Sequence, residues 1–141
     1  MLWLALAAHA ADLDSALALR DGFSCSQLGT PDTALRDALI ARAEPQAMPP
    51  WAPMRAAGCL IELFPTDPVT ATTVLPWMTD PERGGLALVV AENIDRFPLE
   101  ISVQLANAAM AAPASTSRDR LRRRLSTSAR PEVLAVLPVT P

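Results

Sequence analysis

Lysine and tyrosine are absent from this chain, and histidine occurs once. The one imidazole, His9, lies in an apolar leader-like segment. Once that leader is removed, the chain holds no imidazole for base work or metal ligation. That excludes Ser-His and Cys-His nucleophile pairs. Glycine is scarce, with five residues, and Gly84-Gly85 is a bare pair rather than a phosphate-cradling loop. No apolar run reaches the ~18 residues that a membrane span needs. Period-2 alternation, the mark of half-buried strands, is never sustained.

All twelve cations are arginine, set against fifteen acids, for a net charge of −3. The charge is uneven. Residues 1–110 carry six arginines and thirteen acids, a net −7, while 111–141 carry six and two, a net +4. The acidic majority argues against a nucleic-acid binder. Half of the 141 residues are hydrophobic, enough for one domain with a real core and against intrinsic disorder.

The opening "MLWLALAAHAADLDS" has seven apolar residues from Leu2 to Ala8, and Ala8 and Ala10 fit the small-x-small pattern of a signal peptidase site. No cation precedes the apolar stretch, so an ordinary apolar helix turn is the other reading. The expectation is a secretory segment at 1–10, one domain at 11–141, and a periplasmic or extracellular location; otherwise the chain is cytoplasmic. Cys25 and Cys59 are the two cysteines, without CxxC spacing. In an exported chain they are expected to pair, closing a loop of about 34 residues worth roughly 3–4 kcal/mol. Two separate buried thiols are the alternative.

Proline punctuates the chain. Pro31, Pro53, Pro68, Pro81, Pro98 and Pro131 each precede a segment with helical apolar spacing, as suits a residue with no N–H to lose in a first turn. Thr30, Asp67 and Asp80 stand before three of them as N-caps. The spacing predicts helices at 12–21, 31–43, 52–64, 68–78, 81–96, 98–111, 116–127 and 131–137, with Gly22 closing the first. The apolar stripes are Leu35, Ala38 and Leu39 with Arg42; Ala57, Leu60, Ile61 and Phe64; Leu86, Val90 and Ile94; and Ile101, Leu105, Ala108 and Ala109. Met48, Met54, Met78 and Met110 read as gap-filling core residues. Trp51 and Trp77, each beside a proline, read as core or cap packing rather than ligand stacking.

"VLPWMTDPERGGLALVVAENI", residues 74–94, resembles a HEAT-type helical repeat. Pro76 corresponds to the proline near the end of the first helix, Asp80-Pro81 to the tight turn, and Arg83 to the arginine of the second helix. Gly84, Gly85 and Ala87 take the small positions. "PMRAAGCLIEL" at 53–63 resembles another second helix, and "RPEVLAVL" at 130–137 a truncated third. The resemblance covers about 45–138 and implies an all-α fold of antiparallel helical hairpins stacked as a short α-solenoid, with structural arginines. A generic α-bundle is the alternative.

Three polar features are candidates for function. Glu92 and Asp95, three apart, can act as a carboxylate pair or lie on a solvated face. "SRDRLRRRLS" places Leu121 and Leu125 inward, flanked by Arg118, Arg122 and Arg124, with Arg120 and Arg123 pointing away. These five arginines read as a basic ridge for an acidic partner, or as a solubilising face. The thiol pair is structural. The resulting expectation is a non-enzymatic protein-binding or scaffold module, with no catalytic, cofactor or metal residues assigned and another protein as partner. A self-associating envelope domain and a carboxylate-based enzyme are the alternatives.

Overall fold

The computed structural model describes residues 13–139, so the signal-like segment and His9 lie outside the described residues. Regular structure among the described residues is helical throughout, with no strand. A helical segment at 13–18 and a short 3-10 turn, Cys25–Leu28, lead into α1 (Thr33–Arg42) and α2 (Ala52–Leu63). Then follow α3 (Pro68–Val74), α4 (Gly84–Glu92), α5 (Leu99–Ala111), α6 (Thr116–Leu125) and the single turn α7 (Pro131–Leu134).

Proline and aspartate set the helix starts. Pro68 and Pro131 open α3 and α7, Pro53 lies in the first turn of α2, and Pro98 caps α5. Asp67 and Asp80 cap as expected, accepting from the N–H groups of Val69 and Glu82 at 2.9 Å each. Thr30 does not cap α1. Asp32 does, accepting from Leu35 N–H at 2.8 Å, because its carboxylate sits one residue before the first helical position. Pro76 has no N–H to donate, and the α-ladder gives way around it to a 3-10 turn, Leu75–Thr79.

Most expected helices come out shorter, 68–78 ending at Val74 and 131–137 at Leu134, and in two the reason is visible in the side chains. The first stops at 18, four residues before Gly22, which adopts φ +73° in a separate bend. The Arg55 guanidinium takes the carbonyl oxygens of Leu17, Leu19 and Arg20 and so replaces the next helical turn. The expected helix 81–96 divides into a 3-10 turn Pro81–Arg83, α4, and a 3-10 turn Ile94–Arg96. Asn93 Nδ2 donates to the Val89 carbonyl at 2.8 Å where α4 ends.

α2 packs against α1 and α4, and α4 packs against α6. On the other side the 75–79 turn packs against α5, and α5 against α7. The α5–α6 contact and the contact of α4 with the 75–79 turn join these two rows. Leu39, Leu60, Ile61, Val90, Phe97 and Leu105 are fully buried between them. The α5 stripe is rotated by one residue from expectation. Ser102, Leu105, Ala106 and Ala109 are buried, while Ile101 and Ala108 are half-buried. Ser102 is tolerated in the core because its hydroxyl donates to the Ile94 carbonyl at 2.6 Å.

Candidate functional site

α6 carries the basic ridge. Ser115 caps it, accepting from Arg118 N–H at 3.1 Å, and Leu121 and Leu125 anchor it to the core. Their i, i+4 spacing leaves the remaining positions to arginine. Arg118 and Arg122 are half-buried, and Arg120, Arg123 and Arg124 are exposed. The five differ in what they touch. Arg118 Nε donates to the Met110 carbonyl at 3.2 Å, tying α6 to the end of α5. Arg124 pairs with Glu92 at 3.3 Å on α4. Arg120, Arg122 and Arg123 have no ion-pair partner among the described residues. The free cations of the ridge are thus these three.

The arginines elsewhere are tied to the fold. Arg83 pairs with Asp80 and lies 3.7 Å from Glu44. Arg55 also stacks on Phe23, 4.8 Å from the ring centre. Arg36 donates to Asp67 at 2.9 Å and so ties α1 to the cap of α3. The Arg36 guanidinium and the Val69 N–H hold the Asp67 carboxyl below its ordinary value despite partial desolvation. The Glu82 N–H and Arg83 do the same for Asp80.

Glu92 and Asp95 do not act together. Glu92 turns to Arg124, whereas Asp95 accepts from the Ser128 hydroxyl at 2.5 Å and from Ala129 N–H at 2.8 Å. Burial works to raise the Asp95 carboxyl, but the Ser128 hydroxyl, the Ala129 N–H and the Arg130 charge together hold it below its ordinary value. This carboxylate organises the turn before α7. Sequence reasoning missed that turn and the role of Arg130; the one local signal was an arginine directly before a helix-opening proline.

Cys25 and Cys59 stand at disulfide distance, with sulfurs 2.12 Å and Cα atoms 5.4 Å apart. Trp77 and Met78 are core residues. Trp51 is half-buried at the start of α2, with the Arg20 guanidinium 5.9 Å from its ring centre. Met48 and Met54 are not core residues. They are 78% and 42% exposed: Met48 lies in the loop before α2, and Met54 lies in the first turn of α2 at the open edge beside Gly85 of α4. A shallow cleft of about 360 Å³ lies between the 13–18 segment and the 47–52 loop. A groove of about 210 Å³ runs between α3 and α5. Neither contains converging carboxylates; the cleft has only Asp14 beside Arg42. Among the described residues no helix is long and apolar enough to cross a membrane.

No protein-family model, curated protein or solved structure matches this chain.

Proposed function

We propose that the chain is a short HEAT-like helical stack and serves as a non-enzymatic scaffold, presenting α6 to an acidic face of a partner protein. The observation that carries this reading is the set of three arginines on α6, Arg120, Arg122 and Arg123, without carboxylate partners in a chain with more acids than cations. Solvent-facing cations without a carboxylate partner gain from a complementary negative surface, which speeds encounter and fixes register. The stack reading is supported by the packing of every second helix, α2 on α4 and α4 on α6, in the manner of repeat arrays. Export is supported by the leader-like 1–10 segment and by the thiol pair.

Photo-crosslinkers placed at positions 120 and 123, used in living cells, test the proposal. The expected result is one partner protein captured at both positions, crosslinked through an acidic region, and lost with Arg120→Glu/Arg123→Glu. Crosslinking at Thr72, on α3, serves as the control. Equal capture from all three positions, or capture that survives charge reversal, refutes the ridge. Self-capture alone would assign the chain to a self-associating assembly.

A further inference from the structure

Cys25, Cys59 and Glu62 each offer one ligand atom, and the three atoms lie within 4.8 Å of one another. Cys59 and Glu62 are three residues apart on α2 and so share a helix side, while Cys25 enters from the Cys25–Leu28 turn. Cys59 is fully buried, Cys25 half-buried and Glu62 exposed, so the cluster runs from the core edge to solvent. No ion pair holds Glu62 among the described residues, so its carboxylate is uncommitted.

We propose that the reduced form of Cys25 and Cys59 makes, with Glu62, a three-ligand site for zinc(II) or a similar borderline-soft divalent cation, with water as the fourth ligand. Reduction needs a thiol reductant. Two of its thiols pass two electrons and two protons to the Cys25–Cys59 bond, which breaks into two thiols, and the reductant becomes a disulfide. The cation then displaces both thiol protons to solvent, since the thiolate is the ligand form. Zinc–sulfur bonds of about 2.3 Å and zinc–oxygen bonds of about 2.1 Å, set tetrahedrally, separate the donors by roughly 3.5–3.8 Å. The two sulfurs, 2.12 Å apart while bonded, part to that spacing on reduction, and the Glu62 carboxylate, within 4.8 Å of both, closes on the ion from the solvent side. Two thiolates and one carboxylate leave an open position, the pattern of sites that keep a water. This site is independent of the α6 ridge.

Cobalt(II) titration of the full chain, after thiol reduction and removal of the reductant, tests the proposal. The expected result is one cobalt per chain with thiolate charge-transfer absorption, displaced by zinc, and no binding to the oxidised protein. Glu62→Gln should weaken binding to the reduced chain about tenfold or more, a loss seen even for outer-shell partners. Circular dichroism is followed in parallel. If reduction lowers helicity, cation binding should restore it. Absence of the charge-transfer band, binding by the oxidised protein, unchanged affinity in Glu62→Gln, or helicity lost on reduction and not restored by cation would each overturn the site.

Discussion

Arg130 Nη1 donates to the carbonyl oxygen of Phe97 at 2.6 Å, across 33 residues of sequence. The same nitrogen donates to the Ser102 hydroxyl at 2.7 Å, which in turn donates to Ile94. One guanidinium thus joins the start of α7 to the loop before α5 and to a buried serine inside it. Arg130→Ala should cost about 2–3 kcal/mol, because a charged donor to two acceptors is lost and the Phe97 carbonyl loses a partner. Arg130→Lys should recover only part of this, since a compact ammonium on a flexible stem cannot reproduce the planar fork. Urea unfolding of the three proteins measures both. Equal stability of the alanine variant would show that the contact contributes nothing net.

Asp67 and Asp95 give the chain an acid-sensitive limb. Both carboxyls ionise in the folded chain at a pH below the ordinary 3.8. The folded state then binds fewer protons than the unfolded state through that range. Their contribution is fully present above 3.8 and is lost as pH falls through the lower folded values. Thermal midpoints followed from pH 6 down to about pH 2 should fall more gently in Asp67→Asn and Asp95→Asn than in the parent chain. A parallel fall in all three would remove these carboxylates as the cause.

Most helix positions were legible because proline and aspartate act locally. Pro68 needs no partner elsewhere to open a helix, and Asp67 reaches its own N–H target two residues on. The stripe of α2 was legible for the same reason: Ala57, Leu60 and Ile61 repeat at helical spacing and are all buried. The sequence was least informative where distant groups decide. Nothing near residue 19 announces that Arg55 will take its carbonyl, so the first helix looked longer than it is. The burial of Ser102 was not legible because its acceptor, Ile94, is eight residues away. On α6 the direction of the leucines was readable, but which arginines remain unpaired depended on where Glu92 and Met110 fell.

Gly58 and Gly85 mark the approach of α2 to α4, and they should respond differently to a methyl group. A Cβ at Gly58 would meet Val89 Cγ1 at 3.9 Å, an ordinary contact inside a helix. Gly58→Ala should therefore stabilise by about 0.5–1 kcal/mol, the usual gain of alanine over glycine in a helix interior. A Cβ at Gly85 would lie 3.0 Å from Met54 Sδ. Met54 is 42% exposed and can swing its end aside, so Gly85→Ala should gain less than Gly58→Ala. Chemical denaturation of both variants checks the order. Destabilisation by Gly58→Ala would mean that the two helices lie closer than this contact.

The thiol pair closes the loop between the Cys25–Leu28 turn and the middle of α2, a sequence separation of 34. Two effects would be mixed in a Cys25→Ala/Cys59→Ala chain: release of that loop and loss of the buried Cys59 sulfur. Reduced parent protein separates them, because it releases the loop and keeps both sulfur atoms. Loop release alone should cost roughly 3–4 kcal/mol by the chain-entropy argument. The double alanine chain should lie below the reduced parent by about a further 1 kcal/mol or more, since a small cavity replaces a fully buried side chain. The measurement is denaturant unfolding of oxidised parent, reduced parent and variant, with metal chelated throughout so that the reduced thiols stay unliganded. If oxidised and reduced parent unfold at the same denaturant concentration, the link does not stabilise the fold.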